Sequence, residues 1–301
     1  MENYKRILLI ADPSMRRTVA FERAVWLARS SGAALHITLF DRNPLINLAA
    51  LIDKDRAHAA IDAWLNERLV WLRGEAAELE SDGLKVSTDV VWAAPVEDDV
   101  LMAIADYDPD LVVKDVHYES RVKRVLLKPL DWQLLRSCPV PLLFAHTFSH
   151  AVPSRVLAAV DASLPSKEQK AINQRVIERG LFLARQCKSE FHLLYAFIGP
   201  YTPMMPMGPA AAYLSDFYRS VEPAHRRNFT ELADAYGVPI ECRHFISGPA
   251  AQTIADFARE DHSDVLVIGT LRHGLVDRML LGSTAEAILD LSPCDVLAVK
   301  N

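Results

Sequence analysis

No stretch of the 301 residues approaches the roughly 20 consecutive apolar residues that a membrane-spanning helix needs. Met1 to Arg6 run straight into the strand-like Ile7-Leu8-Leu9-Ile10, without the longer apolar core and small-residue cleavage site of a signal peptide. Cysteine is scarce. Cys138, Cys187, Cys242 and Cys294 form no CxxC pair and no Cys/His ligand cluster, so no metal site is expected and they read as reduced, buried thiols of a cytoplasmic protein. Positive charge is not in excess either: 33 Lys and Arg stand against 39 Asp and Glu, for a net charge of −6. That balance argues against nucleic-acid binding through phosphate neutralisation, which needs clustered cations. Walker-type P-loops, GxGxxG, HExxH and GxSxG are all missing, and with them the signatures of most nucleotide, zinc and serine hydrolases.

What the sequence does contain is itself twice over. Lys5-Arg6-Ile7-Leu8-Leu9-Ile10-Ala11-Asp12 matches Ser154-Arg155-Val156-Leu157-Ala158-Ala159-Val160-Asp161, and Trp26-Leu27-Ala28-Arg29 matches Phe182-Leu183-Ala184-Arg185. His36 then corresponds to His192. Asp110-Leu111-Val112-Val113 corresponds to Asp264-Val265-Leu266-Val267. Gly83 and Gly237, Pro95 and Pro249, and Pro139 and Pro293 all keep one spacing, a register that unrelated sequences would not hold. Two domains are therefore expected, 1–147 and 153–301, joined by a short link that would hold them close as a pseudo-twofold pair.

Within each half, short continuous apolar runs alternate with longer segments of helical spacing. Strands are expected near 5–11, 34–40, 84–91, 110–114 and 141–145, and again near 154–160, 190–196, 238–245, 264–268 and 295–299. Val96, Val100, Leu101 and Ile104 make one apolar helical stripe. Leu65, Leu69, Leu72, Ala76 and Leu79 make another on a long charged helix. Pro95 and Pro249 suit the first position of a helix. Strand–helix alternation gives βαβ units, hence an α/β fold of two tandem, open, parallel five-stranded sheets flanked by helices, Rossmann-like in each half.

Ligands of open parallel sheets bind beyond the carboxyl ends of the strands. In the second half three loops converge there: Asp161-Ala162-Ser163, the chain after Ala196-Phe197, and the segment from Gly269 through Arg272, His273 and Gly274 to Gly282, Ser283 and Thr284. Ser283 and Thr284 open a helix, whose free N–H groups attract an anion; their hydroxyls could donate to it or simply cap the helix. His273 has no partner nucleophile and reads as a loop histidine. Residues 198–210, with Met204, Met205 and Met207, are proline-rich and apolar. They could pack on their own domain, cover a site as a lid or line an apolar pocket; residues 43–48 occupy the same place in the first half.

The whole pattern resembles the universal stress proteins in their tandem form. The resemblance rests on the Asp closing strand one in both halves, on Gly248-Pro249 with Ile254 after it, on the Gly-rich segment, and on 129–136 with Cys138-Pro139. It implies an adenine-nucleotide alpha-hydrolase-like fold and a cytoplasmic stress-response role. It also implies an adenine-side contact for Asp161 and a Gly-x-x-Gly, spacer, Gly-Ser/Thr loop around ATP phosphates. The sequence matches that loop in part. Gly269, Gly282 and Ser283 fit, Arg272 stands where the second Gly belongs, and Gly274 comes two residues late. Arg272 could obstruct the backbone approach or contact phosphate with its cationic head. In the first half Asp115, Tyr118, Lys128 and Pro129 replace Gly269, Arg272, Gly282 and Ser283, so no ATP site is expected there. Its basic run, Arg121, Lys123, Arg124 and Lys128, could bind an anion or be a solvated helix face.

The expected function is ligand or partner binding without robust catalysis. The alternatives are ATP binding with Mg and slow hydrolysis in the second half, and binding of an apolar or lipid-like ligand through loops 43–48 and 198–210. A homodimer is compatible with the repeat.

Overall fold

Strand β1 (Arg6–Ala11) is buried at every residue but the first, as a strand covered on both faces should be. It pairs in parallel with β2 (Ala34–Phe40) and β4 (Leu111–Asp115). Strand β2 pairs with β3 (Val86–Val91), and β4 with β5 (Leu142–Ala145). The order β3-β2-β1-β4-β5 reverses direction between β1 and β4, so their carboxyl ends bound a natural crevice. Helices α1 (Val19–Ser31), α2 (Pro44–Ala49), α3 (Lys54–Ser81), α4 (Glu97–Tyr107) and α5 (Leu130–Ser137) occupy the connections. The computed structural model describes residues 3–93, 97–116, 130–146, 152–163, 166–199, 209–270 and 283–300.

The chain divides into two units, Glu2–His146 and Thr147–Asn301, and the second repeats the first. Its elements are β6 (Arg155–Ala159), α6 (Lys167–Cys187), β7 (Glu190–Phe197), α7 (Pro209–Ala235), β8 (Arg243–Ser247), α8 (Ala250–Glu260), β9 (Val265–Thr270), α9 (Ser283–Leu291) and β10 (Asp295–Lys300). The strands are parallel in the order β8-β7-β6-β9-β10, with the reversal between β6 and β9. Both units are thus parallel five-stranded α/β sheets with helical connections, the architecture expected from the repeat. Among the described residues no helix is long and apolar enough to cross a membrane.

The repeat extends to register and capping. His36 sits opposite Leu8 and His192 opposite Leu157, so the aligned residues occupy one structural position. Asp110 Oδ2 accepts the backbone N–H groups of Lys5 (2.7 Å) and Arg6 (2.9 Å), and Asp264 Oδ2 accepts those of Ser154 (2.7 Å) and Arg155 (3.1 Å). Each carboxylate satisfies N–H groups at the entry of the central strand that the ladder leaves open.

Four local expectations change. The strand expected at 238–245 starts late, because a 3-10 turn (Ile240–Cys242) precedes β8 and carries Ile240 into solvent. Pro249 is the N-cap of α8, one position before its first turn; Pro95 and Val96 lie outside the described residues. On α3, Leu72, Ala76 and Leu79 are buried as expected, but Leu65 and Leu69 are half-buried and Arg68 takes the inner position. Its Nε donates to Asp41 Oδ2 at 2.7 Å, and its guanidinium lies 3.5 Å over the Trp64 ring, so the charge is paired where a leucine would pack. Residues 44–49 form a short helix capped by Asn43, with Leu45 and Leu48 exposed, in place of an apolar loop.

Candidate functional site

A crevice of about 580 Å³ opens at the β6/β9 reversal. The strand ends contribute Ala159, Val160, Ile268, Gly269 and Thr270; α6 contributes Ile172 and Val176; and α8 and α9 contribute Ile254, Ala285 and Ile288. Aromatic residues come from β7 (Tyr195, Phe197) and α7 (Phe217, Tyr218). Asp161, Ser163, Gln169, Asn173, Thr284 and His225 supply the polar groups. No lysine or arginine is among the described lining residues.

The loop after β6 is fixed by its own side chains. Asp161 Oδ1 accepts the Ser163 N–H at 2.8 Å, an Asx turn. Asn173 then clamps Asp161 from α6: its Oδ1 accepts the Asp161 N–H (3.2 Å) and its Nδ2 donates to the Asp161 carbonyl (2.6 Å). Gln169 Nε2 donates to the same Oδ1 at 3.1 Å, so the buried amide is satisfied on both sides. Gly269 lets α6 come close: a Cβ there would lie 2.5 Å from Ile172 Cγ1. Across the crevice the Tyr195 hydroxyl and His225 Nδ1 lie 2.6 Å apart, with Phe197 packed on the imidazole (5.0 Å). Burial pushes the Tyr195 phenol up, the Asp161 charge adds to this, and a hydrogen bond with Ser163 opposes it. Tyr195 is therefore a neutral hydrogen-bonding group at physiological pH.

Of the residues singled out in the sequence, Asp161, Ser163, Gly269 and Thr284 come together on this crevice. The backbone of Ser283 opens α9 beside it. Arg272, His273, Gly274 and Gly282 lie outside the described residues, as do Met204, Met205 and Met207. Gly269 belongs to β9 and serves the approach of α6, a role that its loop-like context in the sequence conceals. Sequence reasoning missed Asn173, Gln169, Tyr195 and His225. One signal was present: α6 has 21 residues against 13 in α1, and the additional amino-terminal turns carry Gln169, Ile172 and Asn173.

The equivalent place in the N-terminal unit is built from charge. Asp12 makes the same Asx turn, accepting the Ser14 N–H at 2.9 Å. Asp115, at the position of Gly269, accepts from Thr18 Oγ1 (2.5 Å) and the Ala20 N–H (3.0 Å), and so sits at the amino end of α1. Lys114, at the position of Ile268, is buried and pairs with the buried Asp131, at the position of Ala285.

Comparison with known proteins supports the same architecture. The model of the universal stress protein family matches residues 3–146 and 154–300. Universal stress protein E of Escherichia coli (strain K12) is 25% identical over 302 residues, covering 100% of this chain and 95% of the relative. A universal stress protein E homolog from Haemophilus influenzae is also 25% identical, covering 99% and 97%. A crystal structure of a functionally unknown protein from Pseudomonas aeruginosa PAO1 superposes with a TM-score of 0.75 at 26% identity, covering 99% of this chain and 92% of the other. A universal stress protein from Archaeoglobus fulgidus shares the fold, with a TM-score of 0.64 at 20% identity over 100% and 97% of the two chains. A chain matched twice by one family model, with each match falling on one of two repeated α/β units, is a tandem member of the universal stress protein family.

Proposed function

We propose that this is a cytoplasmic stress-response protein that binds a small molecule in the C-terminal unit and performs no efficient chemistry on it. The crevice at the β6/β9 reversal carries this reading: it is of ligand size and mostly apolar, with a few polar groups on its lining. Asp161 and Ser163 would orient a hydrogen-bonding end of the ligand, while Ile172, Val176, Ile254 and Ile288 enclose its body. Efficient phosphoryl transfer calls for a positioned base and cations around the phosphates. The described lining offers neither a lysine nor an arginine, and its histidine is engaged with Tyr195.

A second reading, ATP with Mg, draws on one feature: α9 begins at Ser283, and Thr284 is on the crevice lining, so the amino end of a helix adjoins the cavity. In this reading slow hydrolysis would be confined to the C-terminal unit. Calorimetric titration with ATP–Mg and, separately, with the apolar anion 1-anilinonaphthalene-8-sulfonate tests both. At least one is expected to bind, and Ala285→Phe, which places a ring in the crevice, is expected to weaken that binding about tenfold or more. Failure of both, or binding indifferent to Ala285→Phe, overturns the proposal.

A further inference from the structure

Helix α7 gives the crevice a wall made of two dissimilar parts, divided by a proline inside the helix, Pro223. Proline has no N–H to donate, and its ring crowds the carbonyl of Arg219 one turn back, so the helical ladder is interrupted there. Beyond the proline the helix is anchored. Phe229 and Ala233 are 3% and 0% exposed, and His225 is hydrogen-bonded to Tyr195. Before it, none of residues 216–222 is buried, and Tyr213 and Phe217 are 81% and 58% exposed. Yet Phe217, Tyr218 and Val221, from this more exposed part, line the crevice. A side-chain contact spans the break: Arg226 donates to Glu222 Oε1 at 2.9 Å while its guanidinium lies over the Phe245 ring at 4.2 Å.

We propose that residues 213–222 are a lid on the crevice, hinged at Pro223, with Phe217 and Tyr218 as the rings that close over an apolar part of the bound molecule. The inference rests on the ligand-binding reading above. Large rings left in water beside an apolar cavity gain burial only when the cavity is filled, so ligand binding favours the closed lid. The hinge lies where a backbone hydrogen bond is already missing, so bending there breaks less than it would elsewhere in the helix. The Arg226–Glu222 contact, exposed and therefore weak, tethers the lid without locking it.

Hydrogen exchange and stopped-flow fluorescence on the full chain test this, with 1-anilinonaphthalene-8-sulfonate as the probe and the signal defined as the part that Ala285→Phe abolishes. In the free protein, amides of 214–222 are expected to exchange about tenfold or more faster than those of 226–235, and the ratio is expected to fall when the probe saturates. Pro223→Ala restores the missing N–H. It is expected to slow both entry and release about tenfold while changing the equilibrium constant less than about threefold. Phe217→Ala is expected to speed release about tenfold and leave entry unchanged. Uniform exchange along α7, or rates unaltered by Pro223→Ala, with the probe still bound, overturns the lid and leaves the ligand site standing. No probe binding to the wild-type chain overturns the lid, and it overturns the ligand reading as well where ATP–Mg also fails to bind.

Discussion

The two units meet the same problem at the same place and solve it with opposite chemistry. Where the central strands diverge, the N-terminal unit has Lys114, Asp115 and Asp131, and the C-terminal unit has Ile268, Gly269 and Ala285, each pair 154 residues apart. In the first, an ammonium and a carboxylate are buried against each other and a second carboxylate caps α1. In the second, the small and apolar residues leave room, and a longer helix, α6, brings Asn173 and Ile172 to enclose it. A duplicated scaffold can thus place paired charges at this point in one copy and small, apolar residues in the other. The strands, the register and the carboxylates at the strand entries are hardly altered.

The sharpest way to break this contrast is to remove half of the ion pair. Asp131→Ala leaves the Lys114 ammonium, 1% exposed, with its carboxylate partner gone. It is expected to cost about 3–5 kcal/mol in urea unfolding. Replacing all three charges at once, Lys114→Ile with Asp115→Gly and Asp131→Ala, is expected to recover most of that loss, because none of the three positions then carries a buried charge. Titration of this variant is expected to show a second site for 1-anilinonaphthalene-8-sulfonate. A single site would mean that α1 is too short to complete a crevice. In the C-terminal unit, Gly269→Ala is expected to cost about 1–3 kcal/mol, because the new Cβ overlaps Ile172. Combining it with Ile172→Ala, read by the same unfolding curves, is expected to make the two costs clearly non-additive.

The smallest expected effect is on pH dependence. Burial lowers the pKa of His36 in one unit and of His244 in the other. The charge of Asp89 partly offsets this at His36, while neighbouring His192 lowers His244 further. A lowered imidazole pKa means that the unfolded chain binds protons first. Stability is therefore expected to fall as pH drops through the unfolded value of about 6.5, and to level off below the folded one. Urea unfolding at about pH 7.5 and pH 5.5 should show this loss, and His36→Gln or His244→Gln should each reduce it.

Much of this was legible in the residues. Continuous apolar runs such as Ile7-Leu8-Leu9-Ile10 mark strands covered on both faces, and the equal spacing of Asp110 and Asp264 marks a repeated structural duty. Edge and surface positions were less legible. At β8 the strand residues are half-buried, so the apolar run and the strand do not coincide. On α3 the inner position went to Arg68, because Asp41 and Trp64 from elsewhere in the fold compensate its charge. Asp161 and Ser163 line the crevice at a strand end, a place that sequence can name. Tyr195, His225 and Asn173 were not legible, because each looks like an ordinary strand or helix residue until the partner element is brought beside it.

The sequence by itself determined the duplication, the α/β alternation and the inequality of the two halves, because apolar periodicity and residue spacing are properties of a line. Only the tertiary structure decided what that inequality means. Lys114, Asp115 and Asp131 become an ion pair and a helix cap once β4, α5 and α1 are packed together. Gly269 becomes the point where α6 touches the sheet, and Pro223 becomes the division between a part of α7 with buried residues and a part whose residues 216–222 are all at least partly exposed. Contact, burial and the compensation of charge depend on distances between segments far apart in the chain, and those distances exist only in the folded molecule.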